Sequence, residues 1–359
     1  MGCLGSTAGI VPQVHAQGPS LQSDRQPIQV SVDPTYQYYE TDGGRVLTQL
    51  STYLSAYVPV TQRVGIQARA GYARMGGDDL KQVHGPTDVS GRITYAQPVG
   101  EGSVVFLVRA NAPTGKQHLT PDEAATTRPI SQNFYDFRVS SFSRGTSIAP
   151  QVTWAVPLSE RFVVGVGASY QYQRGFQPQA GFTSDSLYTP GDGVKVNGGV
   201  DYKITEGSAI GVNGTFRRYE EDTVNGQPRF DAGNQFSGTL RYLRQSGFTS
   251  IRVVARYSTW EESRFGFRVG SPAQGQVIPE HGMLLGSYST RLTDAVDLSV
   301  RTSGHWYGET LQSDQKIVGR LYLSPSFELD EMITLSPHGT AAYGSYLGLG
   351  GGVRVTGRF

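Results

Sequence analysis

The chain has 359 residues, 31 basic against 30 acidic side chains, a mean hydropathy of −0.33 and one cysteine. The charge balance removes any net-charge argument for nucleic-acid binding, and a single cysteine excludes a disulfide framework or a cysteine-based zinc site. No stretch approaches the roughly 20 apolar residues of a membrane helix, whereas Gly (46), Tyr (20) and Phe (15) are plentiful, which points to an all-β chain.

Residues 1–16 read as the remnant of a secretory signal peptide, ending in Val14-His15-Ala16, an A-x-A-like cleavage site before Gln17. Cys3 lacks the preceding residues of a lipoprotein box, so no lipid anchor is expected. Residues 17–27 form a short segment before the first strand. From Ile28 the sequence alternates with period two: Ile28, Val30, Val32, Pro34, Tyr36 and Tyr38 on one face, Gln29, Ser31, Asp33, Thr35 and Gln37 on the other. The split recurs at Leu50 to Val58, Val64 to Tyr72, Val194 to Tyr202, Ile251 to Tyr257 and Val296 to Val300. Alternation over about ten residues is the mark of a half-buried strand. No segment shows a convincing helical period.

Two classes of connection separate the strands. Short turns lie at Val60-Thr61-Gln62, Val99-Gly100-Glu101, Leu158-Ser159-Glu160, Ile204-Thr205-Glu206, Gln245-Ser246-Gly247, Leu292-Thr293-Asp294 and Leu329-Asp330-Glu331. Pro59, Pro98 and Pro157 stop the strands entering the first three, because proline cannot donate to the ladder. The other class is longer, richer in Gly, Asp and Pro, and preceded by aromatic clusters such as Tyr170-Gln171-Tyr172 and Trp306-Tyr307. Short turns at one end, long polar loops at the other and aromatics beside the loops describe an outer-membrane barrel. The fold class is therefore all-β: a transmembrane antiparallel up-and-down barrel over 28–359, of about sixteen strands with fourteen as the alternative. A soluble sandwich or propeller fits less well, since globular strands average five or six residues. The alternating end of the chain, with Val353, Val355, Gly357 and Phe359 on one face, resembles the signal read by the barrel-assembly machinery.

With the apolar set against lipid, the other set lines the lumen. Its cations are Arg69, Arg92, Arg109, Lys195, Lys203, Arg217, Arg241, Arg252, Arg256, Arg291, Arg301, Arg320 and Arg354, and its clearest acids are Asp33, Asp201 and Asp297. A neutral chain is thus expected to have a cationic inner wall, which favours anionic or carboxylate-bearing small solutes. The alternative is that these arginines pair with loop acids folded inward and brace the barrel. The longest loop runs from about Ala112 to Gly145, and loops of that length are usually functional. It is expected to narrow the channel, with Asp122 and Glu123 facing arginines across the lumen and Lys116, His118 and Arg128 nearby. A surface loop carrying a short extra strand is the other option.

Within that region, Val108 to Lys116, which ends in Pro113-Thr114-Gly115-Lys116, resembles the P-T-G-K strand exit of outer-membrane proteins grouped with the phenol-degradation MetA pathway. These are themselves similar to outer-membrane fatty-acid and hydrocarbon transporters. The turn Val156 to Arg161 and the strand Val163 to Tyr170 fit the same pattern, so the resemblance covers 104–172. It implies a barrel and uptake of small molecules, hydrophobic ones included. The fatty-acid transporters carry an N-terminal plug, which the short segment 17–27 does not match, and no binding residues carry over.

Catalysis is not expected. Ser303 and His305 share the inward face two residues apart, about 7 Å, too far for a direct hydrogen bond without bending. Glu280 and His281 lack a third metal ligand, and Gly348-Leu349-Gly350-Gly351-Gly352 reads as a strand that frees lumen space. The expected function is passive passage of small solutes across the outer membrane of a Gram-negative-type envelope, with no cofactor and no metal. The alternatives are a structural barrel or subunit of a larger assembly, and a hydrophobic-compound transporter. The expected partners are outer-membrane lipid, the assembly machinery and the solutes; a homotrimer and a monomer both stay open.

Overall fold

The computed structural model describes residues 27–41, 43–132, 134–177, 187–266, 273–311 and 313–359. The expected signal remnant 1–16 and nearly all of 17–27 lie outside them. In chain order the strands begin with β1 (Gln29–Thr41), β2 (Val46–Pro59), β3 (Val64–Gly77), β4 (Leu80–Pro86), β5 (Val89–Val99) and β6 (Gly102–Ala112). Helix α1 (Pro121–Ile130) precedes β7 (Ser147–Pro157), β8 (Phe162–Gln173), β9 (Tyr188–Thr189), β10 (Gly193–Thr205) and β11 (Ser208–Tyr219). Next come β12 (Asp222–Val224), β13 (Gln227–Asp231), β14 (Gln235–Ser246), β15 (Thr249–Trp260), β16 (Ser263–Phe265) and β17 (Ala273–Gly275). The chain ends with β18 (His281–Thr293), β19 (Val296–Tyr307), β20 (Lys316–Glu328), β21 (Ile333–Gly344) and β22 (Tyr346–Arg358).

β4 and β5 act as one interrupted wall strand: β4 pairs with the upper half of β3 through Arg74↔His84, and β5 with its lower half through Ile66↔Ile93. Counted so, sixteen antiparallel strands form the wall. β1 closes it against β22 from Gln29↔Arg358 to Thr41↔Tyr346, and Phe359 exchanges both backbone hydrogen bonds with Ile28 at 2.9 Å. Closure removes every edge, as a sheet must in hydrocarbon. The seven short turns fall where the sequence places them. Val32, Tyr36, Leu50, Leu54, Val212, Leu284, Leu321 and Leu349 point outward and are exposed, which gives the wall the apolar belt of a transmembrane barrel.

Two features differ from the sequence reading. A helix forms at α1, where Thr120 caps the backbone N–H of Glu123 and the Glu123 side chain accepts from the Thr120 N–H. That Thr-x-x-Glu box was legible as a helix start, although the ten residues carry no apolar stripe. The loops joining β8 to β10, β11 to β14 and β15 to β18 also build a five-stranded sheet of their own, in the order β17-β16-β13-β12-β9. Arg264 ties that sheet together, donating to Asp231 at 2.5 Å and Glu221 at 3.2 Å. Asp222 accepts from the Tyr188 hydroxyl at 2.5 Å and the Gly191 N–H at 2.8 Å. Burial there pushes its carboxyl above the usual carboxylate value, against the pull of those bonds.

The β1–β22 seam admits no side chain at Gly352, where an added Cβ would lie 2.2 Å from the Pro34 carbonyl oxygen. At the adjacent Gly351 the nearest atom would be 3.4 Å away. We expect Gly352→Ala to deplete the folded, heat-modifiable form on detergent gels, and Gly351→Ala to leave it intact.

Candidate pore lining and constriction

Strand parity puts Arg69, Arg92, Arg109, Lys195, Arg217, Arg241, Arg252, Arg256, Arg301, Arg320 and Arg354 on the face opposite the outward apolar set. That face is the interior. Arg109 on β6 lies within electrostatic reach of Arg217 on β11, although β7, β8 and β10 separate them along the wall.

The long loop after β6 turns inward and lies on this face. Its entering part is 134–142, packed against the upper inner wall of β1, β2, β3, β20 and β22. Two glutamine side chains hold it as a neighbouring strand would. The Gln37 amide donates to the Asp136 carbonyl at 3.1 Å and accepts from the Arg138 N–H at 2.8 Å. Gln49 does the same for Val139, at 2.7 and 2.9 Å. Tyr135, Phe137, Val139 and Phe142 are buried with Tyr39, Leu47, Met75 and Tyr346 in one apolar cluster, and Tyr39 meets the edge of Phe137 with ring centroids 4.5 Å apart. Arg138 reaches deepest: it donates to Asp33 at 2.7 Å and to Thr35, and lies 5.4 Å from the Tyr53 ring centroid.

The loop therefore enters the barrel, but not with the residues expected to do so. Asp122 lies 3.9 Å from Lys81, and Glu123 accepts from Lys116 at 2.7 Å. Both pairs sit around α1, which packs on β4 and β3, so the acids do not face arginines across the lumen. The Lys116 ammonium holds the Glu123 carboxyl below the usual carboxylate value. His118 and Arg128 are exposed. No alternation marks the residues that do enter, because the segment is neither strand nor helix; the hydrophobic run Phe134-Tyr135-Asp136-Phe137 inside a polar loop was the available signal.

The eleven inward cations named above divide into two groups; of the other two that the sequence places inside, Arg291 pairs with Asp297 at 3.3 Å and Lys203 lies near the end of β10. Four of the eleven brace the structure. Arg320 donates to the Phe134 carbonyl at 2.7 Å and lies 3.6 Å from Asp136. Arg354 donates to Asp33 at 2.8 Å. Arg241 pairs with Asp201 at 2.5 Å, and Arg69 sits 3.4 Å over the Tyr53 ring. The other seven, Arg92, Arg109, Lys195, Arg217, Arg252, Arg256 and Arg301, have no carboxylate within ion-pair distance among the described residues. They occupy the wall from β5 to β19, and the loop segment lies against the wall from β20 to β3. The inner wall is therefore basic along one arc and covered by the aromatic loop segment along the other.

Ser303 and His305 meet after all: the imidazole leans along β19 and its Nε2 lies 2.9 Å from the Ser303 hydroxyl. The staggered side chains shorten the separation that backbone spacing suggests. His305 also stacks on His281 at 5.4 Å and contacts Arg320 at 3.1 Å.

Gln49→Leu strands the Val139 N–H and carbonyl, at a cost of about 1–3 kcal/mol. We expect this substitution to raise single-channel conductance and to expose 134–144 to protease, with the wall still folded by circular dichroism.

No protein-family model and no curated protein sequence matches the chain. Among solved structures it is similar to CdiB from Acinetobacter baumannii, at 9% identity and a TM-score of 0.51, over 91% of this chain and 60% of that one. It is also similar to an anion-selective porin from Comamonas acidovorans (10% identity, TM-score 0.42, 92% and 98% coverage). An outer membrane channel from Pseudomonas putida F1 gives 11% identity, a TM-score of 0.40 and 94% and 98% coverage. Likeness of this degree bears on the fold alone. The closed sixteen-strand wall, apolar outside and polar within, makes the chain a β-barrel of the bacterial outer membrane.

Proposed function

We propose that the barrel is a passive channel for small anionic solutes, which pass between the inward loop segment and the basic wall. One observation carries the reading. Arg92 sits directly across from Arg109, and Lys195 directly across from Arg217, with no acid among the described residues to neutralise either pair. Like charges in direct cross-strand register destabilise a sheet, so the fold alone gives no reason for them. Fixed positive charge in a low-dielectric shell concentrates anions and repels cations. Arg252 and Arg301 continue the positive wall toward the periplasmic turns, in one register row with Ser287 between them. The channel needs no catalytic residue, and the Ser303–His305 contact has no carboxylate partner among the described residues.

Reversal potentials of the reconstituted protein across a KCl gradient test this. Chloride should permeate in preference to potassium. Lys195→Gln with Arg217→Gln should cut that preference by about fivefold, the effect of losing ~1 kcal/mol of attraction. Potassium preference in the unaltered protein would overturn the proposal, and absence of conductance would favour a structural barrel.

A further inference from the structure

The basic wall ends, near the extracellular rim, in an aromatic pair. Tyr219 and Trp260 stack with ring centroids 5.7 Å apart and planes 17° from parallel. Both have the inward parity of their strands: Tyr219 follows Arg217 on β11, and Trp260 follows Arg256 and Ser258 on β15. The membrane does not explain them. Interfacial aromatic girdles face lipid, and here that role falls to pairs such as Tyr257 and Trp306, stacked on the outer face at 6.4 Å. Nor does the inward loop cover them, since its aromatic contacts are with Tyr39, Tyr346 and Tyr307.

The pair is joined to the cations. Arg217 donates to the Tyr219 hydroxyl at 2.6 Å, and its guanidinium lies 5.6 Å from the Tyr219 ring centroid. Lys195, Arg217, Gln235 and Trp260 share one register row across β10, β11, β14 and β15. At about 4.8 Å between neighbouring strands, Trp260 stands roughly 10 Å along the wall from Arg217. Tyr219 and Trp260 are half-buried, so part of their surface stays accessible, and strand parity turns both side chains inward. A flat ring resting there would present a carboxylate toward Arg217 and Lys195.

Building on the anion-channel reading, we propose that Tyr219 and Trp260 form a docking site for aromatic carboxylates, the solutes this channel selects among anions. Face contact between π systems adds to simple apolar burial. A planar ring is therefore held better than a saturated ring of the same size and charge, even though the saturated ring is at least as hydrophobic.

The test uses the full-length protein in planar bilayers carrying a chloride current. Potassium benzoate or potassium cyclohexanecarboxylate is added at neutral pH, and the concentration that halves the current is read for each. Benzoate should act at about fivefold lower concentration. In Tyr219→Leu with Trp260→Leu the two acids should become equal while the chloride-over-potassium preference persists, which also shows that the variant is folded. Trp260→Phe should restore the benzoate preference. Equal action of both acids on the unaltered protein, or a full benzoate preference in the double leucine variant, would overturn the aromatic site and leave the anion channel standing. Loss of chloride preference in the unaltered protein would remove both.

Discussion

A bilayer core offers a backbone amide no partner but another backbone amide. The rest of the molecule follows from that one requirement. Sixteen strands satisfy it by closing β1 onto β22, and the chain gives up side-chain volume where the seam is tightest. Gly352 stands there because any Cβ would collide with the Pro34 carbonyl. Closure also separates the two faces of every strand completely: one meets acyl chains and the other meets enclosed water. Polar and charged side chains are thereby gathered inside, whatever their sign. The sign is what distinguishes this barrel, because most of the acids reside in turns and loops.

The inner wall then solves two problems with the same residue type. On the β20 to β3 side, arginines are structural. Arg354 and Arg138 both converge on Oδ2 of Asp33, and Arg320 grips the loop backbone at Phe134. Gln37 and Gln49 supply the loop with the amide pairs that a seventeenth strand would otherwise provide. That arrangement holds the segment against the wall inside the lumen. On the facing side only Arg241, paired with Asp201, and Arg291, paired with Asp297, have such employment among the inward cations named above. Arg92 faces Arg109 and Lys195 faces Arg217 across strand pairs, and under the proposed function a mobile anion would relieve that repulsion.

Strand parity makes most of this legible in the sequence. Val64 to Tyr72 already showed which side Arg69 occupies, and the seven turns gave the strand number, because period two and proline stops are local signals. The loop was harder. Its entering residues follow no period, and their places depend on Gln37 and Gln49, about a hundred residues earlier in the chain. Asp122 and Glu123 stand out in the sequence as charges in a long loop, yet a capping box and two lysines hold them at α1. The pairing of some arginines and not others was also invisible, since Asp33 and Asp201 find their partners only through the closed wall. Ser303 and His305 show the same limit at small scale: backbone spacing set their Cα distance, and side-chain lean set the contact.

The central claim is that one face of each wall strand meets water held in a positive field and the other meets lipid. Adjacent residues on β8 test it directly. Ser169 faces Lys195 across the β8–β10 ladder, and Ala168 points outward beside it. In a Cys3→Ser background, S169C and A168C can be reacted with anionic and cationic thiosulfonates of equal size. The account predicts that S169C reacts, and faster with the anionic reagent, while A168C reacts with neither. Reaction at A168C, or faster cationic labelling at S169C, would contradict it.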